Sequence, residues 1–323
     1  MSIPSRQVRV TLLLLPVVYL SGLAKVADFT GVIYLLFPEL AALAYDILSR
    51  PNGTWARSPA MVAVTPVFTA MCGIVIARLL PYGPWSVALC IASAILTIHV
   101  LRSPVAPAIS AALLPLSLGV TSWWYPPSIA MGTAGLACLS ILTRRIGTTM
   151  AEATPPTPSD ELDDEMEEPP RDYRWMGVFV AFLVSAYMLG QVTGLRLILF
   201  PPLIVIAFEM LAHVDGCPWA QRPLAVPLAC TIAAASGVAA LCLSGPGPVS
   251  VALSMAAGIA AVRALRVHVP PALAVSLLPQ VIDQPDWRFV LAVAIGSTLL
   301  TTMFLAVRVA RPVMMRMSSV RLP

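Results

Sequence analysis

Three short strings in this sequence each occur twice. Trp55-Ala-Arg-Ser-Pro59 returns as Trp219-Ala-Gln-Arg-Pro223, Ser86-Val-Ala-Leu89 as Ser250-Val-Ala-Leu253, and Pro107-Ala-Ile-Ser-Ala-Ala-Leu-Leu-Pro115 as Pro271-Ala-Leu-Ala-Val-Ser-Leu-Leu-Pro279. The separation is the same each time, 164 positions (219 less 55, 250 less 86, 271 less 107). Gly73 and Gly237, Pro84 and Pro248, Arg102 and Arg266, Trp123 and Trp287, and Gly132 and Gly296 keep it. Before a gap near Asn52 it falls to 163, which relates Asp46 to Glu209. A register held this far marks a tandem duplication, and duplicated membrane units commonly place a site between the copies.

The duplicated unit is almost wholly apolar. Hydrophobic residues make up 58% of the 323 residues and charged residues 11%, whereas a soluble domain carries about 25% charged residues. Mean hydropathy is +0.85. So few ionic groups cannot coat a water-facing surface, and the bilayer becomes the solvent for most of the chain. The 31 prolines fit, because neighbouring helices in a bundle can satisfy the backbone groups that proline frees. The net charge of +4 is nearly all Arg at helix ends and is not a nucleic-acid signal. Cys72, Cys90, Cys138, Cys217, Cys230 and Cys242 form no CxxC, so neither a disulfide framework nor a zinc site is supported. No cofactor or metal is expected.

Apolar runs set off by Pro, Gly and Arg give six segments per copy, at 9–25, 30–49, 59–80, 84–101, 104–120 and 126–143, then 175–192, 195–212, 223–244, 248–265, 269–282 and 288–307. The expected fold is all-α: a polytopic membrane protein of two six-segment repeats about a pseudo-two-fold axis, with 10–12 transmembrane helices. The fifth segment is short and holds three prolines in each copy, so it reads as either a span or a re-entrant element. The first run resembles a signal peptide, but its counterpart from Met176 to Gln191 lies in mid-chain, so it is read as a retained span. The domains expected are a first repeat at 1–147, an acidic Pro-rich disordered linker at 148–174, a second repeat at 175–311 and a cytosolic tail at 312–323.

Arg placement orients the bundle. Arg50, Arg57, Arg102, Arg144 and Arg145 in one copy, and Arg222, Arg266, Arg308 and Arg311 in the other, fall in alternate connections. Pro81-Tyr-Gly-Pro84 and Ser244-Gly-Pro-Gly-Pro248 hold none, and Lys25, Arg78, Arg196 and Arg288 are the exceptions. The positive-inside rule then puts both termini in the cytoplasm, with an even number of crossings per copy. Trp123, Trp124, Tyr125 and Trp287 read as headgroup-level anchors.

Ionisable groups inside apolar runs are functional candidates because they are costly to bury. Glu39 in Phe37-Pro-Glu-Leu40 faces Pro202 in the other copy. Asp46 and Glu209 are equivalent, and each either pairs with a nearby Arg or takes part in coupling. These three are the proton candidates. The strongest constellation joins the fourth and fifth segments: His99-Val-Leu-Arg102-Ser-Pro-Val-Ala-Pro107 and Arg263-Ala-Leu-Arg266-Val-His268-Val-Pro-Pro271. An Arg ends one helix and prolines open the next. First-turn amides favour an anion, and the guanidinium adds a planar donor fork. Arg102, Arg266, His268, Pro107, Pro271 and His99 are therefore the candidate substrate-binding residues. A plain helix hairpin that obeys the positive-inside rule is the alternative. No Ser/His/Asp set, HExxH, P-loop or GxGxxG is present, so no catalytic residue is named and an enzyme is not expected.

The second copy resembles the HPP integral membrane family, named for a His-Pro-Pro motif that opens an apolar helix. Here Arg266-Val-His268-Val-Pro270-Pro271-Ala272 carries the likeness, with Val269 interrupting it. Phe200-Pro-Pro-Leu, Trp219-Ala-Gln-Arg-Pro223, Trp287-Arg-Phe and Gly296 add to it. The likeness covers roughly 175–307 and, more faintly, 10–145, where Pro104 takes the place of His268. Family members have been linked to nitrite transport, so the resemblance implies a small-anion transporter. The chain is also similar, more weakly, to fusaric-acid-resistance (aromatic-acid exporter) membrane domains.

Three functions follow as expectations. The first is a transporter or channel for a small, nitrite-like anion, with its path between the repeats. The second is an exporter of an organic acid or lipophilic compound, which an apolar cavity above about 300 Å³ would favour. The third is a non-transporting scaffold, which a tightly packed axis would favour. The expected partners are the lipid bilayer and a small-molecule or ion substrate, with homo-oligomerisation left open. The expected location is a bacterial plasma membrane.

Overall fold

The computed structural model describes the backbone of residues 6–151, 170, 173–214 and 216–319, and the side chains of 13–145, 170, 173–214 and 216–310. Helix dominates, and no strand occurs among the described residues. The first half holds α1 (Arg6–Thr30), α2 (Glu39–Ser49), α3 (Thr54–Arg57), α4 (Pro59–Leu79), α5 (Pro84–Leu101), α6 (Ala108–Leu118) and α7 (Tyr125–Ala151). The second holds α8 (Trp175–Thr193), α9 (Pro201–Ala212), α10 (Ala225–Ser244), α11 (Pro248–Ala264), α12 (Pro270–Leu277) and α13 (Trp287–Ser319).

Length and burial sort these helices into two layers. Seven of them, α1, α4, α5, α7, α8, α10 and α13, are long and apolar enough to cross a membrane, and α11 falls just short at 17 residues. They form the outside, and large apolar side chains such as Val18, Phe68, Leu96 and Leu228 face outward from them. In a bilayer such faces meet lipid tails rather than water. The four shorter helices fill the centre. Every residue of α12 is buried, as is all of α2 except Ser49, α6 except Leu118 and α9 except Ala212. A helix apolar on all sides must be kept from water on all sides, here by protein rather than lipid.

Four of the expected segments hold short helices rather than long ones. The runs at 30–49, 104–120, 195–212 and 269–282 each contain a helix of only 8 to 12 residues, about 12–18 Å long. Proline sets their starts. Pro38, Pro107, Pro201 and Pro270 stand at the cap or first position, where a missing N–H costs nothing. The residue before a proline is pushed toward extended backbone, so the chain enters each of these helices as irregular or 3₁₀ structure.

These runs still pass from one end of the bundle to the other. The Ser103 hydroxyl accepts from Thr65 at 2.7 Å early in α4, and Thr121 accepts from Arg78 at 2.6 Å at the end of α4. Residues 103–121 therefore return along the length of α4. In the second half, Gln280 meets Ser250 at 2.9 Å at the start of α11. The short helices approach their neighbours closely: a Cβ on Gly73 would lie 2.1 Å from the Ala112 carbonyl oxygen, and one on Gly237 2.3 Å from that of Ser276. Small residues at such crossings are how membrane helices gain contact without a hydrophobic driving force.

Like ends of the two halves lie together. Asp46 at the end of α2 meets His268 just before α12. At the opposite end, Asp28 near the end of α1 lies against Gly247 before α11, and Arg196 covers the Tyr82 ring. Most arginines gather at the first of these ends, called below the Arg-rich end.

Tyr125 departs from the anchor expectation. Trp123, Trp124 and Trp287 are exposed, but Tyr125 is fully buried and donates to the Ala111 carbonyl at 2.8 Å. The expected tail from 312 continues α13 to Ser319. Most of the expected linker, 152–169 with 171 and 172, lies outside the described residues.

Candidate functional site

The halves meet along two seams at the Arg-rich end. In the first, the end of α2 faces the turn before α12. Asp46 Oδ1 accepts from Arg50 at 3.0 Å and lies 3.1 Å from His268 Nε2, with the Tyr45 ring 6.0 Å from the His268 ring. Asp46 is 1% exposed, so the charge of its carboxylate is met by partners from both halves rather than by water. A buried ion is tolerated only with such partners. This seam is closed, and above it α1 packs against α11.

The second seam is built from the matching elements and is open. A cavity of about 530 Å³ lies between α5 and α8, with α9 at its base. Ile91, Ile95, Phe179 and Leu183 contribute to its apolar walls, and its polar groups are His99, Arg102, Ser103, Glu209 and His213. Position by position this is the first seam rewritten: Glu209 stands for Asp46, His213 for Arg50 and Pro104 for His268. Pro104 lines the cavity and offers no side-chain donor to reach across. Trp55 Nε1 instead donates to its carbonyl at 2.9 Å.

Arg102 and Arg266 share an unusual backbone. Both are left-handed, with φ of 48° and 52°, just past the end of a helix, where glycine is the common choice. Both side chains are exposed, and of the two only Arg102 lines the cavity. The fork that the sequence placed on a shared path is thus split between the seams.

The six substrate candidates divide likewise. His99 and Arg102 lie at the cavity, His268 is held by Asp46, and Arg266 accepts at its carbonyl from Arg222 at 3.4 Å. Pro107 and Pro271 are buried and do not line the cavity. The amides beyond them do not point at an anion path. Ala108, Ile109 and Ser110 donate to Val105, Ala106 and Pro107, and Ala272 donates to Val269. Short-range bonds of this kind occupy the donors that would otherwise greet an anion.

Of the proton candidates, Asp46 sits in the first seam, Glu209 sits at the cavity base, and Glu39 is buried two turns before Asp46. Sequence reasoning passed over His213, Ser110 and Tyr125. The repeat register carried a signal for each, because each has a counterpart of different chemistry: Arg50, Ala274 and Phe289.

Away from the Arg-rich end, Arg196 crosses between halves. Its guanidinium donates to the Leu116 carbonyl in the last turn of α6 and lies 3.9 Å from the Tyr82 ring centroid. A cation at a helix C-terminus is stabilised by the carbonyls there. Burial lowers its affinity for its proton, opposed by Tyr82. All six cysteines are free, and no cluster of metal-ligating side chains occurs among the described residues.

Residues 169–314 match the family model described as HPP, transmembrane region. The second half of this chain is thus similar to the HPP transmembrane region. No curated protein and no solved structure matches the chain. Within the matched half, the segment Arg266-Val-His268-Val-Pro270-Pro271 is the one whose histidine closes the first seam. The cavity is walled by the matched half on the α8 and α9 side and by the preceding half on the α5 side. With its apolar outward helices, the chain is a multi-pass membrane protein.

Proposed function

We propose that this protein moves an amphiphilic organic acid across the membrane through the open seam, with Arg102 receiving the carboxylate. The cavity of about 530 Å³ carries this reading. That volume lies within the range of pockets for drug-sized ligands, about 300–1,000 Å³. Its walls are aliphatic and aromatic, and its charged groups are confined to one end. A nitrite-sized anion, the substrate implied by the family resemblance, would leave most of that apolar space unfilled. A scaffold would have no use for an open seam beside a closed one. The positive-inside rule puts the Arg-rich end in the cytoplasm, so the cavity takes its cargo from inside and the direction is export. A bacterial plasma membrane remains the proposed location.

Proteoliposomes loaded with radiolabelled benzoate or with nitrite test this. Benzoate efflux from wild-type vesicles is expected, with loss in Arg102→Ala and in Ala92→Trp, which fills the cavity from α5. Nitrite flux without benzoate flux would restore the small-anion reading, and benzoate flux unchanged in both variants would remove the cavity from the path.

A further inference from the structure

Glu39 opens α2 at 1% exposure, and neither carboxylate oxygen has a hydrogen-bond partner among the described residues. Ser110 of α6 lies beside it, its own hydroxyl also without a partner. Tyr125 of α7 stands within electrostatic reach. The other titratable groups around this point are Tyr34, edge-on to Tyr125 at 5.8 Å, and Cys90 of α5 behind Tyr125. Tyr19 of α1 is engaged with Gly132, while Arg50 and the His268 preceding α12 are engaged with Asp46. No cationic side chain is placed against Glu39 among the described residues, in contrast to Asp46.

A lone carboxylate in such surroundings is costly enough that the group neutralises instead. The second half acts as an internal control. At the matching register Glu39, Ser110 and Tyr125 become Pro202, Ala274 and Phe289, and the short-helix core there is as buried as in the first half. The polar trio is therefore not a requirement of the packing. It occurs on one side only, about 10 Å along α2 from the Asp46 seam.

We infer that Glu39, positioned by Ser110 and Tyr125, is a proton-binding site in the membrane interior, and that its loading and release drive the transport cycle. The second clause rests on the transport reading above; the first does not.

Infrared difference spectroscopy of the full-length protein in liposomes reads the proton directly. A carbonyl stretch of a protonated carboxyl is expected at neutral pH in wild type. It should vanish in Glu39→Gln, reappear shifted in Glu39→Asp, and fade as the pH is raised. Thermal unfolding confirms that each variant is folded. Absence of that band from folded wild-type protein overturns the site. In loaded vesicles, the protein-dependent part of benzoate efflux under a pH gradient, taken above protein-free vesicles, should be lost in Glu39→Gln and partly restored in Glu39→Asp; its retention in Glu39→Gln overturns the coupling role. If no vesicle moves benzoate, the coupling clause falls with the transport reading, and the infrared band still decides the proton site.

Discussion

His268 Nε2 and Asp46 Oδ1 lie 3.1 Å apart although 222 positions separate them in the chain. The contact joins the two halves at a buried carboxylate that Arg50 also holds. Replacing His268 by Ala is expected to cost about 1.5–3 kcal/mol, the usual value of a hydrogen bond to a charged group. A double-mutant cycle with Asp46→Asn, followed by thermal unfolding in detergent, should give a coupling of about 0.5–3 kcal/mol. Additive losses would mean that the two side chains do not interact.

The left-handed arginines give a prediction with opposite signs for stability and function. A non-glycine residue in that conformation stores about 1–3 kcal/mol of strain. Arg102→Gly and Arg266→Gly should therefore each stabilise the protein or leave it unchanged. Only Arg102→Gly should weaken benzoate binding, because only Arg102 lines the cavity. Equal effects on binding would show that both seams serve the substrate.

Gly73→Ala and Gly237→Ala should each be severe. The added methyl would meet a backbone oxygen at 2.1 Å in one case and 2.3 Å in the other, and a backbone carbonyl cannot rotate away as a side chain can. Overpacking of this kind typically costs about 1–3 kcal/mol or more. Reduced yield of monodisperse protein and a lowered unfolding temperature are the measurements, with Gly177→Ala as the control because nothing lies within 4 Å of its added methyl.

Tyr125→Phe copies the residue that the second half carries at Phe289. It removes the bond to the Ala111 carbonyl and should cost about 0.5–1.5 kcal/mol. A larger loss on thermal unfolding would mean that the hydroxyl holds the α6–α7 contact in a way that the second half achieves by other means.

Much of this architecture can be read from the chain. Pro, Gly and Arg punctuate the apolar runs, so the segments emerge. Which runs are long spans and which hold a short buried helix does not emerge, because both kinds are equally apolar. Leading prolines do not separate the two, because Pro59 and Pro84 open long helices just as Pro201 and Pro270 open short ones. The partner of His268 was not legible, since nothing local ties it to Asp46. Tyr125 was misplaced because three aromatic residues in a row look alike. The repeat held the hint: Trp123 keeps an indole at Trp287, whereas Tyr125 gives way to Phe289, which has no polar tip to seat among headgroups.

Two halves of similar sequence joined in one polypeptide escape a constraint that binds a pair of identical subunits. In a symmetric dimer each interface residue appears twice, so both junctions would be latched or both would be vacant. Here Pro104 could replace histidine on one side while His268 stayed on the other. Covalent fusion thus lets the two junctions differ, one bridged by His268 and Asp46 and its twin lined by Pro104.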